Sequence, residues 1–224
     1  MNPKVITFDV YSALTDLKGS VVQELQNVLQ DENIHYPTMF QMWRDRQWNY
    51  LLITNSLQKG YVSYHTLTTR ALEYTLNQYK IDLTEQEKEQ LVAGWSRLKL
   101  WPEAEQILMR LREKGYKLGM LSNGDEYMLR TLDQTFNFSF DYIFSSDQAG
   151  VYKPSAEIYQ LPLNLLEISP EEVLHVAGSY IDVMGTKSAG LPCVWTNRLN
   201  DTIFDPAYAP DYELKNLEGL LQFL

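Results

Sequence analysis

Short apolar, β-rich runs recur along the chain, and most are followed by a loop and then by a segment with helical spacing. The runs predict strands at 4–8, 116–121, 141–146, 172–177 and 192–196. The segments between them predict helices at 102–115, 126–136, 156–166 and 182–190, with Pro162 weakening the third. Strands that alternate with helices are typical of a parallel sheet with helices on both faces. The pattern therefore predicts an α/β fold.

Residues 17 to about 98 interrupt this alternation. Helical spacing without strand signals between the segments occurs at 21–30, 39–57, 65–80 and 85–98. An all-helical insert after the first strand is therefore expected. We predict an α/β core made of 1–15 and 99–224, and a helical domain over 16–98.

The composition limits the size, the partners and the compartment of the protein. At 224 residues with 45% hydrophobic content, the chain can bury one sizeable core. A net charge of −10 argues against a nucleic acid or an anionic membrane held by charge alone, but local cations in a pocket can still bind a small anionic substrate. The single cysteine, Cys193, excludes an intramolecular disulfide and lies in an apolar run typical of a core position.

The sequence carries no signal for a membrane span or for export. No stretch approaches the roughly 18 apolar residues of a span, and the chain starts with strand-like sequence rather than a basic leader. Together with the lone cysteine, this predicts a soluble cytoplasmic protein without a membrane partner.

Polar side chains follow four of the predicted strands. Open parallel sheets bind ligands beyond the carboxyl ends of their strands, so these side chains are expected to meet in one crevice. They are Asp9 after the first strand, Ser122 and Asn123 after the second, Lys153 after the third, and Ser179 and Asp182 after the fourth. The set combines a nucleophilic carboxylate, a hydroxyl, an amide, a lysine and a second carboxylate.

Each of these residues has a structural alternative. Asp9 could cap a helix or a turn, although a carboxylate directly after a buried strand is costly to desolvate without a nearby cation. Lys153 could be an ordinary solvated lysine, and a turn would explain Ser122 and Asn123. Asp182 could cap the helix that follows it, a role compatible with a place in the site.

The order "FDVY", "LSNG", "VYKP" and a final aspartate resembles the haloacid dehalogenase superfamily of aspartate-nucleophile hydrolases. Within that superfamily the chain is most similar to the L-2-haloacid dehalogenase branch, over nearly its whole length. The resemblance implies a Rossmann-like core, a helical cap formed by the insert, Asp9 as nucleophile, and a homodimer.

Tyr11 favours the dehalogenase branch over the phosphatases of the same superfamily. Those phosphatases carry a second aspartate two residues after the nucleophile, which protonates the departing alkoxide. A halide leaves as a stable anion and needs no proton. In the fourth motif, Val176-Ala177 replaces the usual Gly-Asp pair and removes a metal ligand. We therefore expect no metal and no cofactor.

The segment "MWRDRQWNYLL" resembles the dehalogenase cap helix that carries a halide-binding arginine, which is Arg44 here. Arg44 could instead lie on a solvated helix face, and the neighbouring Trp43 could belong to the core. Tyr159 matches an active-site tyrosine of the family, although packing on its helix explains it almost as well.

The chain departs from the family pattern beside the nucleophile and in the fourth motif. The family has Gly-Thr where this chain has Ser12-Ala13, and the threonine hydroxyl binds the nucleophile there. Ala13 lacks a hydroxyl, and Ser12 could replace it if the turn differs. Ala177 and Ser179 stand where the family has serine and asparagine or histidine, and Ile181 stands where it commonly has tryptophan.

The sequence thus predicts hydrolysis of a short (S)-2-haloalkanoate to the 2-hydroxy acid through an ester on Asp9. The residues expected to be catalytic are Asp9, Arg44, Ser122, Lys153 and Asp182. Those expected to contact substrate are Tyr11, Ser12, Trp43, Asn123, Tyr159 and Ser179. A phosphatase with unconventional metal ligands and an inactive binding protein with the same fold are the alternatives.

Overall fold

The computed structural model describes residues 3–224, and its centre is a six-stranded sheet in which every neighbouring pair of strands is parallel. The strands are β1 (Val5–Phe8), β2 (Lys117–Ser122), β3 (Tyr142–Ser145), β4 (Val173–Ala177), β5 (Cys193–Thr196) and β6 (Tyr212–Leu214). Their order across the sheet is β3-β2-β1-β4-β5-β6. The parallel α/β fold predicted from the alternating pattern is confirmed.

The edge strand β6 is the one strand that the apolar pattern missed. It has three residues, of which the first two are exposed, so it contains no apolar run that would mark it in the sequence. It is formed by pairing with β5, where Trp195 lies opposite Glu213. Its existence therefore depends on a long-range partner rather than on local sequence.

Between β1 and β2 the chain, all of which the structure describes there, forms helices as predicted. These are α1 (Leu17–Leu29), α2 (Tyr36–Leu57), α3 (Tyr64–Tyr79) and α4 (Glu85–Ala93), followed by a 3-10 turn over Gly94–Ser96. The insert leaves and rejoins the sheet at adjacent points, because Asp16 N–H donates to the Lys99 carbonyl and Trp101 N–H to the Leu14 carbonyl, each at 2.9 Å.

The remaining helices follow the later strands. They are α5 (Ala104–Glu113), α6 (Glu126–Asp133), α7 (Ser146–Ala149), α8 (Ala156–Leu166) and α9 (Tyr180–Ser188). Helix α8 continues through Pro162, which is buried on the same face as Ile158 and Tyr159, so packing outweighs the lost backbone hydrogen bond. Among residues 3–224, no helix combines the length and the apolar character needed to cross a bilayer.

An aromatic cluster packs the helical insert against the segment after β1. The ring of Tyr11 stacks on Tyr64 with centroids 5.4 Å apart and meets the edge of Trp95 at 5.7 Å. Trp43 contacts Trp95 edge-to-face at 5.5 Å. These rings come from α2, α3 and the 3-10 turn, so the aromatic content of the insert forms the joint between insert and sheet.

Asp125 forms a second, polar joint. It follows β2, is 2% exposed, and its carboxylate accepts hydrogen bonds from Tyr61 Oη at 2.7 Å and from the backbone N–H groups of Tyr64 and His65 at 2.9 Å each. The last two groups belong to the first turn of α3, where a negative charge is also favoured by the helix dipole. A single carboxylate from the segment after β2 thus holds the first turn of α3.

Replacing Asp125 with alanine is expected to lower the free energy of unfolding by about 2–3 kcal/mol, because three donors lose a charged acceptor in a buried place. Urea denaturation at neutral pH measures this change. The variant Glu32→Gln removes an exposed carboxylate and is the control. An Asp125→Ala variant as stable as the control would show that this joint does not hold the insert.

Candidate active site

Asp9 directly follows β1, and the chain after it forms a π-helical turn over Val10–Leu14 rather than an open loop. Burial of four apolar side chains in this turn draws it into the protein. The turn brings Ser12 back to Asp9, so that Ser12 N–H and the Ser12 hydroxyl both donate to Asp9 Oδ2, at 2.8 and 2.5 Å. Ser12 thereby supplies the hydroxyl contact that Ala13 cannot make.

Gly178, in the loop after β4, packs directly on this turn. A Cβ atom at Gly178 would lie 2.3 Å from Ala13 N and 2.4 Å from the Ser12 carbonyl carbon. Real Cβ atoms do not approach backbone that closely, so a residue without a side chain is required here. The two segments where the sequence departs from the family pattern are therefore in contact with each other.

Lys153 connects the ends of three strands. Its side chain is 2% exposed, and Nζ lies 3.3 Å from Asp9 Oδ1 and 2.9 Å from Asp182 Oδ1. Its backbone N–H donates to Asn123 Oδ1 at 2.7 Å, which fixes the loop after β3 against the end of β2. A buried ammonium needs such partners, since an unpaired charge in this position would be strongly destabilising.

Asp182 lies in the first turn of α9 and is 2% exposed. Tyr159 Oη donates to its Oδ1 at 2.7 Å, and His175 Nε2 lies 3.0 Å from its Oδ2. Burial alone would raise the pKa of Asp182, but Lys153 and His175 outweigh burial and lower it below the usual range. Asp182 does not cap α9; Ser179 is the cap, and its Oγ accepts from Asp182 N–H at 3.4 Å.

His175 is a site residue that sequence reasoning missed. It lies inside β4, is fully buried, and contacts Asp182, Lys153 and Thr7. The signal was available in the sequence, because a histidine within the apolar run "VLHVA" must find polar partners when that strand is buried. Its partners, however, come from other strands and could not be named in advance.

Three buried polar atoms near the end of β2 have no hydrogen-bond partner among the described residues. They are Ser122 Oγ, Asn123 Nδ2 and Tyr11 Oη. A Cβ built on Gly124 would lie 2.9 Å from Tyr11 Oη, so that hydroxyl lies over the same strand end. Buried polar groups are nearly always paired, and orphaned ones at a strand end indicate where a polar ligand binds.

Arg44 projects from α2 towards the sheet. Its guanidinium carbon lies 4.9 Å from the ring centroid of Trp48 and 5.5 Å from that of Trp95, and Nη1 donates to Tyr64 Oη at 3.3 Å and to Gln47 Oε1. Aromatic rings therefore shield part of the cation from water, as expected for an arginine that receives an anion.

A cavity of about 320 Å³ lies between the insert and the carboxyl end of the sheet. Its walls include Tyr11, Ser12, Arg44, Trp48, Trp101 and Ser179. Arg198 also lines it; this arginine pairs with Glu103 and stacks over Trp101 at 4.5 Å. Sequence reasoning did not single out Arg198, because it follows β5 without any family motif around it.

Trp43 and Tyr159, which the sequence predicts to contact substrate, are both fully buried. Trp43 is fully buried between α2 and α3, and its indole N–H donates to the Thr68 carbonyl at 2.9 Å. Trp43 therefore packs in the core of the insert, and its contact with substrate stays a prediction. Tyr159 is also fully buried and reaches the site through Asp182 rather than through the cavity.

The donor set at Asp9 and Asp182 fits an ammonium rather than a metal ion. Within residues 3–224, no three histidine, cysteine, aspartate or glutamate side chains are grouped as metal ligands would be. Lys153 Nζ lies within 3.3 Å of one oxygen of each carboxylate, in the place where a cation would bridge them.

Comparisons with known proteins identify chains that are similar over nearly the whole length. The model of the haloacid dehalogenase-like hydrolase family matches residues 3–190. Haloacetate dehalogenase H-2 of Moraxella sp. (strain B) is 29% identical, with 99% of this chain and 97% of the relative covered. The (S)-2-haloacid dehalogenase of Pseudomonas sp. (strain YL) is 28% identical, with 98% and 93% covered.

A solved structure extends the similarity to the fold. The L-2-haloacid dehalogenase from Xanthobacter autotrophicus with chloropropionic acid covalently bound superposes with a TM-score of 0.84 at 26% identity. The superposition covers 98% of this chain and 97% of that one. The similarity thus includes both the sheet and the helical insert.

Replacing Gly178 with alanine is expected to lower the free energy of unfolding by about 1–3 kcal/mol, because the new methyl group must displace the Ser12–Ala13 backbone. Chemical denaturation measures the loss. Gly94→Ala is the control, since a Cβ there would lie 3.3 Å from the flexible Glu24 side chain. Equal stability of the two variants would mean that the turn moves away without cost.

The stability of the protein is expected to depend on pH through His175. Burial lowers the pKa of His175, so the unfolded chain takes up a proton as pH falls below about 6.5 while the folded chain does not. The contribution of neutral His175 to the free energy of unfolding is therefore fully present above about pH 6.5. Below that pH it decreases, by at most about 1.4 kcal/mol per pH unit.

Urea denaturation between pH 7.5 and 5.0 measures this slope in the wild type and in His175→Gln. The variant should lose the His175 part of the slope, whereas His35→Gln, which changes an exposed histidine, should keep it. Parallel curves for the wild type and His175→Gln would contradict a neutral, buried imidazole.

Proposed function

The chain belongs to the haloacid dehalogenase-like hydrolase family, and we propose that it hydrolyses the carbon–halogen bond of a short (S)-2-haloalkanoate to give the 2-hydroxy acid. The observation that carries this proposal is the surroundings of Asp9. Its carboxylate is held by Ser12 and Lys153, and no second carboxylate stands two residues later to protonate a leaving group. Burial raises the pKa of Tyr11 well above its usual value, so its hydroxyl is a weaker acid than an exposed tyrosine.

In the first step the Asp9 carboxylate attacks C2 of the substrate in line with the halogen. The Oδ1–C2 bond forms, the carbon–halogen bond breaks, and the halide departs with the bonding electron pair. Oδ1 is the freer oxygen, because Ser12 donates twice to Oδ2 while Oδ1 has the longer 3.3 Å contact with Lys153 Nζ. Lys153 is the cation beside Asp9 and offsets the charge of the substrate.

The unpaired donors near the end of β2, together with Arg44, bind the substrate carboxylate and the departing halide. Ser122 Oγ and backbone N–H groups near residues 10, 11 and 123 hold the substrate carboxylate. Asn123 Nδ2, Arg44 and the neighbouring Tyr11 hydroxyl stabilise the departing halide. These donors are preorganised and largely shielded from water, where stabilisation of a developing anion is strongest.

In the second step a water molecule attacks the Asp9 ester carbonyl. Asp182, with Ser179 beside it, orients the water and accepts its proton, which then passes to the leaving oxygen of the 2-hydroxy acid. The bond between Cγ and Oδ1 breaks, so the product carries an oxygen from Asp9 and Asp9 acquires one from water. The covalently bound acid in the Xanthobacter relative supports an ester intermediate.

We also propose the domain division, compartment and assembly indicated by the sequence. The adjacent exit and return points of the insert support a cap over 16–98 on a core of 1–15 and 99–224. The buried, unpaired Cys193 supports a reducing, cytoplasmic location. The family resemblance supports a homodimer, and the exposed Ile53 and Leu57 on α2 are compatible with one.

Purified protein is expected to release halide from (S)-2-chloropropionate at the same rate with and without EDTA.

Asp9→Asn should lower kcat by about 10⁴-fold or more, because the nucleophile is lost. Arg44→Gln should lower it by about 10²-fold, while Arg46→Gln should not; Arg46 lies two residues along α2, stacked 3.5 Å from the ring centroid of Tyr74. Halide-selective electrode measurements give these rates.

Labelling with H₂¹⁸O over many turnovers should place ¹⁸O in Asp9, as detected by peptide mass spectrometry. An active enzyme with unlabelled Asp9 would refute the ester mechanism. Mg²⁺-dependent release of p-nitrophenol from its phosphate ester would instead favour a phosphatase. A folded protein inactive on every 2-haloacid and phosphate ester would favour the binding-protein alternative.

A further inference from the structure

His175 occupies an unusual place for a histidine, in the interior of a central strand. It lies opposite Thr7 of β1 in the sheet register, and its Nδ1 is 2.9 Å from Thr7 Oγ1. On the other side of the ring, Nε2 is 3.0 Å from Asp182 Oδ2 and 3.3 Å from Lys153 Nζ. The imidazole therefore touches two of the residues that the proposed mechanism uses.

The neighbours of His175 determine which ring nitrogen carries the proton. The Asp182 carboxylate only accepts hydrogen bonds, so the 3.0 Å contact is attractive when Nε2 is protonated. Nδ1 then accepts from the Thr7 hydroxyl. The ammonium of Lys153 next to Nε2 disfavours a second proton on the ring, and burial acts in the same direction. His175 is thus neutral and donates to Asp182.

Both oxygens of Asp182 have partners. Oδ1 accepts a hydrogen bond from Tyr159 Oη at 2.7 Å and forms an ion pair with Lys153 Nζ at 2.9 Å. Oδ2 accepts from His175 and, among the described residues, keeps one lone pair. Without His175, the partners of the carboxylate would all lie at Oδ1, and Oδ2 would be free to rotate about it.

We propose that His175 is a positioning residue for hydrolysis of the Asp9 ester: its hydrogen bond to Oδ2 holds the Asp182 carboxylate in the orientation that receives the proton of the attacking water. The inference rests on the proposed function and concerns its second step alone. In that step the water oxygen bonds to Asp9 Cγ, its proton goes to the Asp182 carboxylate, and the Cγ–O bond to the product breaks as the leaving oxygen takes that proton. Formation of the ester does not involve Asp182.

The test separates the two steps by rapid quench with (S)-2-chloropropionate. His175→Leu should release one equivalent of halide at a rate within about threefold of wild type and then turn over about 10²-fold more slowly, because the water is misplaced. Intact-protein mass spectrometry should show the ester accumulating on Asp9. His175→Gln, whose amide nitrogen can take the place of Nε2–H, should restore most of the second rate.

A matched control is Thr196→Val, which removes another buried hydrogen bond at the carboxyl end of the sheet, from Thr196 Oγ1 to the Ala177 carbonyl. It should leave the ratio of the two rates unchanged. If His175→Leu slows both steps equally, or Gln fails to restore the second, the inference is overturned while the proposed function stands. A wild type that releases no halide overturns both.

A second measurement covers the case in which His175→Leu does not fold. ¹⁵N NMR of the wild-type imidazole should show a protonated Nε2 and an unprotonated Nδ1. A proton on Nδ1, or on both nitrogens, near neutral pH would refute the donor role. Thr7→Val, which removes the donor to Nδ1, should shift the same signals and reduce the hydrolysis rate more than the esterification rate.

Discussion

The buried contact of Lys153 with two carboxylates is the interaction on which the site depends. Asp9 and Asp182 come from the ends of β1 and the start of α9, and a shared ammonium between them holds these segments together. Taking three charges out of water is costly unless each has further hydrogen bonds. Ser12 supplies them to Asp9, and Tyr159 and His175 supply them to Asp182. Much of the polar core thus follows from one buried cation.

The same contact places a cation between the Asp9 and Asp182 carboxylates. This arrangement suits the proposed displacement, in which the halide leaves as an anion that needs neither a metal nor a proton. The close packing of Gly178 on the Ser12 turn holds the Ser12 hydroxyl against Asp9.

The helical insert completes the site from the other side. Its aromatic rings pack on Tyr11, and the Asp125 carboxylate holds the first turn of α3, so Arg44 is carried to the mouth of the cavity on a well-anchored helix. The two tryptophans of α2 lie in different places. Trp43 is buried in the core, whereas Trp48 lines the cavity and stacks on Arg44. Helical spacing alone does not distinguish these two tryptophans, because they lie five residues apart on one helix.

The sequence by itself determined the parallel sheet, the helical insert and the candidate set Asp9, Lys153 and Asp182, because apolar runs mark strands and their carboxyl ends meet at one edge. Only the tertiary structure decided which donors those groups receive. Thr7 and His175 are 168 residues apart, and the turn that brings Ser12 back to Asp9 depends on burial of its apolar side chains. Contacts between residues that are distant in sequence leave no local pattern. The roles of His175 and Arg198 and the burial of Trp43 could therefore be seen only in the tertiary structure.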